Sequence, residues 1–146
     1  METRPIYQTN ADILNEENVA NKLARQFNNN VYKIGGPLGE IDRCMVDTNK
    51  DVQCVLEIKC RKIKYKQYPT VFISAHKIMA GMSYVKHLSI PFWIAFSFID
   101  GIYIYNITNP EDYAYKWDGR TVQTRDSKDV EIMAHIPMES ALMKIE

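Results

Sequence analysis

The pattern of hydrophobic and polar positions predicts an amphipathic helix near the start of the chain, over residues 11–28. Its apolar residues recur at the spacing of one helix face: Val19, Ala20, Leu23, Ala24 and Phe27. A short strand is expected over residues 31–34, and Gly35-Gly36-Pro37 would end it. The chain therefore enters a sheet directly after its first helix.

The next segment has the pattern of a β-hairpin. Its strands are expected over residues 41–46 and 52–60, joined by a polar turn at residues 48–51. Both strands carry apolar residues on both faces, as central strands do when each face of the sheet is covered. We therefore expect this hairpin at the centre of the sheet.

A second helix is predicted over residues 75–87, with Ser74 as its N-cap. Its buried stripe is expected to comprise Ala75, Ile78, Met79, Met82 and Val85. Like the first helix, it has one apolar face and should pack against a sheet.

Further strands are expected after this helix. Strands over residues 92–99 and 102–107 flank the turn signal Asp100-Gly101. In the more polar tail we expect a hairpin over residues 113–122 about Asp118-Gly119, and a last strand over residues 130–136. Helices that separate antiparallel hairpins indicate an α+β fold or a mixed α/β/α sandwich.

Length and composition fit a single domain. The 146 residues are 46% hydrophobic and 25% charged, which is ordinary for a globular protein that buries a core without a stapling metal or disulfide. We expect one domain over residues 1–146, with a core over about residues 11–107 and a C-terminal extension over residues 108–146.

The sequence argues against a membrane or exported protein. The longest apolar run, residues 90–99, is too short to span a bilayer, and residues 1–10 lack the apolar stretch of a signal peptide. Cys44, Cys54 and Cys60 do not match a paired zinc-binding motif. Free thiols in a reducing, cytoplasmic compartment are therefore expected.

The charge of the chain is balanced overall but not evenly distributed. A formal net charge of zero argues against a histone-like, non-specific DNA binder. Residues 59–66, however, contain five cations and no acid. This basic segment is a candidate for contacts with phosphates, and an ordinary solvated strand end is the alternative.

Two carboxylates interrupt the apolar pattern of the predicted hairpin. Glu57 and Lys59 share one face of its second strand, and Asp42 lies in its first strand. With a four-residue loop over residues 48–51, Asp42 falls directly opposite Glu57, with Cβ atoms about 4.5–5.5 Å apart. Carboxylates this close repel unless one is protonated or a cation bridges them. Hard oxygen ligands of this kind suit Mg²⁺ or Mn²⁺.

The first helix carries a third candidate acid. On a helical wheel Glu16 projects close to the centre of the apolar face, between Leu23 and Phe27, and Glu17 falls at its edge. Glu16 is therefore the inward-pointing candidate and Glu17 the fallback. The alternative, in which these acids only complement the helix dipole, stays open.

The order of these features resembles that of a known superfamily. An acidic helix, an Asp on one strand, Glu57-Ile58-Lys59 on the next and a following helix are the core order of the PD-(D/E)xK nucleases. The resemblance covers about residues 11–105. It implies a restriction-endonuclease-like three-layer sandwich, in which helices flank a central mixed sheet with the core order αβββαβ. It also implies a divalent-metal-dependent endonuclease acting on nucleic-acid phosphodiester bonds, with DNA favoured over RNA.

The resemblance implies a role for each candidate. Asp42, Glu57 and the main-chain carbonyl of Ile58 would bind Mg²⁺ or Mn²⁺, with Glu16 acting directly or through water. Lys59 would position or activate the attacking water and stabilise charge in the transition state. Ile41 stands where the motif has its Pro, which removes one confirming residue.

Contacts with nucleic acid are expected from four residues of the basic segment: Arg61, Lys62, Lys64 and Lys66. Many members of the superfamily also carry a Gln or Lys on the helix after Glu-x-Lys, and His76 and Lys77 are the nearest equivalents here. Helix N-termini attract phosphate, so both are candidates for a phosphate contact. Because they lie off the predicted buried stripe, they can equally be ordinary exposed residues.

The sequence is also compatible with other functions. A catalytically inactive module could keep the fold and bind nucleic acid without Mg²⁺. An interaction protein could use an aromatic surface formed by Tyr103, Tyr105, Tyr113, Tyr115 and Trp117. Among nucleases, the small single domain favours structure-specific nicking or junction resolution, and a homodimer through the 113–122 hairpin is a further hypothesis.

Overall fold

The computed structural model describes residues 10–34, 41–119 and 130–146, which contain two helices and nine strands. The helices are α1 (Asn10–Phe27) and α2 (Ala75–Leu88). The strands are β1 (Asn30–Lys33), β2 (Arg43–Val46), β3 (Val52–Cys60), β4 (Thr70–Ser74), β5 (Phe92–Phe98), β6 (Gly101–Asn106), β7 (Ala114–Gly119), β8 (Val130–Pro137) and β9 (Met143–Lys144). The expected break at Gly35-Gly36-Pro37 lies outside the described residues.

A six-stranded mixed sheet in the order β1-β2-β3-β5-β6-β9 forms the centre of the molecule. Its neighbouring strands are antiparallel except for β3 and β5, which run parallel. A parallel pair needs a crossover connection, and β4 with α2 supplies it here. The predicted fold class, a mixed α/β protein with a central mixed sheet and flanking helices, is confirmed.

The two faces of the central sheet are covered by different elements. On one face, Val19, Ala20 and Leu23 of α1 pack in a cluster that includes Leu56 of β3. On the other face, α2 and a second sheet, of order β4-β8-β7, share a cluster with Val55 of β3. Alternate residues of β3 therefore contact α1 on one side, and α2 with the small sheet on the other.

Two features of the small sheet differ from the sequence prediction. β4 was not predicted, although it connects the basic segment to α2. The hairpin about Asp118-Gly119 is wrong: both residues lie inside β7, where they pair with Glu131 and Val130 of β8. Pairing with a distant strand has overridden the local turn preference of Asp-Gly. Residues 120–122 of the expected hairpin lie outside the described residues.

α2 begins as predicted but is rotated about its axis. Ser74 caps it, because its Oγ accepts a hydrogen bond of 3.2 Å from the N–H of His76. The expected stripe is wrong at Met79, which is 70% exposed, and Gly81 is buried instead. A Cβ on Gly81 would lie 2.2 Å from the ring of Phe92, so only glycine allows this close approach of α2 to β5.

The described residues bear on two expectations from the sequence, the lack of a membrane-spanning helix and the presence of free cysteines. Neither described helix combines the length and apolarity needed to cross a membrane. Cys44, Cys54 and Cys60 are free thiols, as expected. Burial raises the pKa of Cys54 to about 12, which keeps this thiol protonated and unreactive.

Candidate active site

The hairpin of β2 and β3 places Asp42 beside Glu57. Arg43 pairs with Leu56, so the next positions along the two chains are Asp42 and Glu57. The carbonyl of Asp42 accepts a hydrogen bond of 2.7 Å from the N–H of Ile34, which attaches this position to the end of β1. Asp42 is exposed, whereas Glu57 is completely buried. The predicted opposition of the two acids therefore matches the register of the hairpin.

The turn that produces this register is not the predicted four-residue loop. Asp47 and Asp51 close it through a backbone hydrogen bond of 3.0 Å, and Lys50 adopts a positive φ of 68°. A bulge between Met45 and Val46 then shifts the register. The bulge compensates for the different turn length, so Asp42 still falls opposite Glu57.

The carboxylate of Glu57 is buried between two lysines. Its Oε2 atom lies 3.6 Å from Nζ of Lys59 and 3.6 Å from Nζ of Lys77. Within the described structure neither Oε atom accepts a hydrogen bond of standard geometry. Buried polar atoms are nearly always hydrogen-bonded. Two carboxylate oxygens without a hydrogen bond therefore mark a position where a ligand could bind.

The electrostatic environment of Glu57 is dominated by its burial. Burial raises the pKa of this carboxyl, while the ammonium groups of Lys59 and Lys77 oppose the rise. The carboxylate of Asp42 adds to the rise, and the nearby backbone N–H of Asp42 favours the charged form. A further cation at this position would stabilise the charged form of Glu57 in the same way as the two lysines.

The main-chain carbonyl of Ile58 faces the same end of the hairpin. The N–H groups of Val55 and Arg61 donate to β5 and its flanking residue, at 2.9 Å each. In a strand the backbone groups of successive residues point to opposite sides, so the carbonyl of Ile58 points toward β2. β2 begins at Arg43, which pairs with Leu56, so the position opposite Ile58 is Ile41, two residues before the strand. By this alternation the carbonyl of Ile58 lies on the side of β3 that faces Ile41 and Asp42.

Glu16 and Glu17 lie on the other face of the sheet. Nη2 of Arg43 is 3.0 Å from Oε1 of Glu17 and 3.9 Å from Oε2 of Glu16. Arg43 and Asp42 are adjacent in the chain and therefore point to opposite faces. Among the described residues, no group of three or more His, Cys, Asp and Glu side chains is placed to hold a metal. The structure does not bring Glu16 or Glu17 together with Asp42 and Glu57.

The predicted nucleic-acid contacts divide into three groups. Lys62, Lys64 and Lys66 are exposed, as is His76. Arg61 is turned inward: its guanidinium donates to the carbonyl of Phe72 at 3.2 Å and lies 5.8 Å from the ring centroid of Phe96. Lys77 instead belongs to the Glu57 cluster.

A comparison with protein-family models gives the family of the chain. Residues 2–142 match the model of the family described as "Phage putative PDDEXK endonuclease". The chain belongs to this family. The match spans nearly the whole sequence, including every residue of the Glu57 cluster, and the resemblance inferred from Asp42 and Glu57-Ile58-Lys59 is confirmed.

The fold agrees with the family. The solved structure of Hjc from Archaeoglobus fulgidus, a Holliday junction resolvase, is similar with a TM-score of 0.52 and 12% sequence identity. The similarity covers 86% of this chain and 93% of Hjc. At this identity the comparison supports the fold and nothing finer. Among curated proteins, no sequence match was found.

Two contacts around the candidate site were not predicted from the sequence. Arg43 is only 4% exposed and binds both acids of α1, but a single Arg beside an Asp gave no signal of this. Lys77 was considered for phosphate and not as a neighbour of Glu57. The available signal was Gly81, because a glycine in the middle of a helix often marks close packing against a neighbour.

Proposed function

We propose that this chain is an endonuclease that requires Mg²⁺ or Mn²⁺ and hydrolyses phosphodiester bonds, in DNA in preference to RNA. Its family and fold are those of a nuclease. The observation that carries the finer proposal is the Glu57 carboxylate, which is fully buried, has two oxygens without hydrogen-bond partners and lies beside a second acid. A buried carboxylate whose oxygens accept no hydrogen bond of standard geometry is costly even beside two lysines, and a bound cation would offset that cost.

The chemistry of the donor set fits a hard divalent cation. Glu57 supplies two oxygens without a hydrogen bond of standard geometry, Asp42 supplies an exposed carboxylate, and Ile58 supplies a carbonyl on the β2 side of β3. Carboxylate and carbonyl oxygens with room for water are what Mg²⁺ and Mn²⁺ prefer. When bound, such an ion supplies Lewis-acid stabilisation of the phosphoryl oxygens and lowers the pKa of water.

The two lysines have different parts in the proposal. Lys59, on the strand, has a side chain that is 30% exposed and can reach both Glu57 and solvent. It would hold the attacking water and stabilise charge that develops on the phosphate. Lys77 lies in the first turn of α2, which carries no acid, so the helix N-terminus and this ammonium together would hold a phosphate oxygen.

A cleavage panel tests the proposal. Branched, nicked, linear and single-stranded DNA, together with RNA, would be incubated with the protein in Mg²⁺, Mn²⁺ or EDTA. Branched DNA has priority because Hjc, the similar solved structure, is a Holliday junction resolvase. We expect cleavage in Mg²⁺ or Mn²⁺ and none in EDTA. Inertness on every substrate with either metal would rule the enzymatic proposal out.

One observation favours a second function, a catalytically inactive nucleic-acid-binding module. Glu16, the third predicted acid, contacts Arg43, and no three-acid group that could hold a metal occurs within residues 14–34, 41–117 and 131–146. Such a module would bind nucleic acid with the same affinity in Mg²⁺ and in EDTA and would cut none of the panel.

A homodimer is also part of the proposal, through the ribbon of β7 and β8. Trp117 pairs with Ile132, and their side chains are 73% and 52% exposed on one face of the ribbon. β7 is an edge strand, and edge strands with exposed apolar residues tend to associate. Light scattering should give a dimer for the natural chain and a monomer for Trp117→Ser. A monomer for both would contradict the dimer without affecting the nuclease proposal.

A further inference from the structure

A groove of about 470 Å³ lies between α1 and the end of β3. α1 forms one wall through Asn15, Asn18 and Lys22, and the segment after β3 forms the other through Lys62. Its floor includes Ile102, which belongs to the α1 side of the sheet. None of the residues of the Glu57 cluster (Asp42, Glu57, Lys59 and Lys77) lines the groove, so the groove is distinct from that cluster.

The polar groups of the groove are suited to an anion. Lys22 and Lys62 are exposed, and neither forms an ion pair with another described residue. No described residue that lines the groove is acidic. Three acids adjoin lining residues in sequence. Oδ1 of Asp100 accepts a hydrogen bond of 2.8 Å from the N–H of Tyr65, and Glu16 and Glu17 contact Arg43. The groove thus presents ammonium and amide donors without a carboxylate to compete for them.

The same chemistry continues along α1. Adjoining hollows are lined by Asn18, Asn21, Lys22 and Arg25, and further on by Gln26 with Glu146 as the single acid. From Asn15 to Gln26 this face is about 16 Å long, which is the rise of about five phosphates along one strand. Asn is a weak helix former, so three of them at intervals of three residues are a poor choice for helix stability alone.

The groove begins close to the proposed catalytic end of β3. Lys62 follows Lys59 by three residues, so their Cα atoms are at most about 11 Å apart. That distance corresponds to roughly three phosphates of a strand. One nucleic-acid strand can therefore contact Lys59 on one face of the sheet and pass around the end of β3 into the groove.

We infer that this α1 groove binds the sugar–phosphate backbone of a nucleic-acid strand, a few nucleotides from the bond that is cut. The inference rests on the proposed function, because it names the substrate surface of the same enzyme. Lys22 and Lys62 neutralise phosphates there, and the amides of Asn15 and Asn18 donate hydrogen bonds to phosphate or sugar oxygens. These contacts position the strand and do not read its sequence.

Binding in EDTA to a Lys59→Ala background tests the groove without cleavage. Fluorescence anisotropy would follow a labelled DNA duplex and a labelled four-way junction over a range of salt concentrations. Lys22→Ala with Lys62→Ala should raise Kd at least about tenfold. The plot of log K against log salt concentration should also become less steep, by about 2 in the magnitude of its slope, because each lost phosphate contact removes about one. Lys116→Ala, an exposed lysine of β7, is the matched control and should leave both values unchanged.

The double variant Asn15→Ala with Asn18→Ala should change stability and DNA affinity in opposite directions. Alanine is the better helix former, so Tm should rise while affinity falls several-fold. A purely structural role for these residues would not separate the two effects. The groove would not be a nucleic-acid site if the Lys22→Ala with Lys62→Ala variant had the Kd and salt slope of the Lys116 control. The same conclusion would follow if the Lys59→Ala background protein bound no DNA. If the natural chain cuts nothing but the groove variants lose binding, the groove stands and the enzymatic proposal fails.

Discussion

Glu57 and Arg43 are two buried charges on opposite faces of the same hairpin, and their surroundings differ in one respect. Arg43 is 4% exposed and donates a hydrogen bond of 3.0 Å to Glu17, with Glu16 close by. Glu57 is fully buried, and its two lysines stand at 3.6 Å, with no hydrogen bond of standard geometry to either oxygen. Each cluster has one buried charge and two opposite charges, so their composition alone does not distinguish them.

Under the proposed function, this difference separates a structural cluster, around Arg43, from a catalytic one, around Glu57. A buried charge that is hydrogen-bonded by the chain itself is complete, and the Arg43 cluster links α1 to β2 without any ligand. The Glu57 cluster is incomplete because desolvation of its carboxylate is not fully compensated, and proteins tolerate such a cost at functional sites. Five substitutions test this comparison, from the largest expected effect to the smallest.

Removing the Lys59 ammonium or the Asp42 carboxylate, on the Glu57 side of the hairpin, should abolish cleavage. Lys59→Ala and Asp42→Asn should each reduce the single-turnover rate by about 10³-fold, because charge stabilisation and metal binding act only on the reaction. Circular dichroism should show an unchanged fold, since Asp42 is exposed and Lys59 is partly exposed. Retained cleavage in both variants would show that the site has been assigned to the wrong residues.

Filling the contact between α2 and β5 should disturb the Glu57 cluster through Lys77. Gly81→Ala should lower the free energy of unfolding by about 2–3 kcal/mol, because the new Cβ would overlap the ring of Phe92. Ser83→Ala, at an exposed position of the same helix, is the control and should be neutral or slightly stabilising. Urea denaturation compares the two variants. A stabilised Gly81→Ala protein would mean that α2 does not lie this close to the sheet.

Breaking the other cluster should affect stability and leave catalysis unchanged. Arg43→Met should lower the free energy of unfolding by about 1–2 kcal/mol, since one charged hydrogen bond is lost and both acids can turn to water. Its cleavage rate at a temperature where it is folded should stay within about threefold of the natural chain. A loss of cleavage comparable to that of Lys59→Ala would place Arg43 and the acids of α1 in the active site after all.

Neutralising Glu57 should stabilise the metal-free protein at neutral pH. The pKa of Glu57 is raised in the folded state, so the folded chain holds this proton more tightly than the unfolded chain. The contribution of Glu57 to stability is therefore present at low pH and is lost as pH rises through the folded pKa. In EDTA at pH 8, Glu57→Gln should gain about 1 kcal/mol, or roughly 3 °C in Tm, and the gain should vanish below the ordinary pKa of Glu.

Metal gives the matching control for this variant. Mg²⁺ should raise the Tm of the natural chain by preferential binding to the folded state and should leave Glu57→Gln unchanged. Equal stabilisation of both proteins by Mg²⁺ would contradict the proposal that Glu57 binds a cation. So would a Tm of Glu57→Gln below that of the natural chain in EDTA at pH 8.

Local patterns in the sequence were sufficient for most helices and strands, and they failed where long-range pairing decides. β2, β3, β5 and β6 follow from runs of apolar residues bounded by turns, and α2 begins at its predicted cap. The Asp118-Gly119 turn failed because β8, eleven or more residues away, recruits both residues into a strand. The rotation of α2 could not be predicted, since it depends on how deeply Gly81 lets the helix approach Phe92.

The candidate site divides along the same line. Asp42 and Glu57 were placed opposite each other from the hairpin alone, and that placement survived a different turn because a bulge restored the register. Glu16 was predicted to point inward, and its side chain is indeed only 21% exposed. A helical wheel does not predict which residue Glu16 contacts, and in the structure that residue is Arg43.

The sequence by itself determined that Glu57 and Lys59 share a face of β3, because side chains of a strand alternate with a period of two wherever the strand lies. Only the tertiary structure decided which helix covers that face. The crossover through β4 and α2 joins the parallel strands β3 and β5 and brings Lys77 to Glu57, while α1 packs on the opposite side and gives its acids to Arg43. The neighbours of a buried charge depend on how the layers are stacked, and no local period records that.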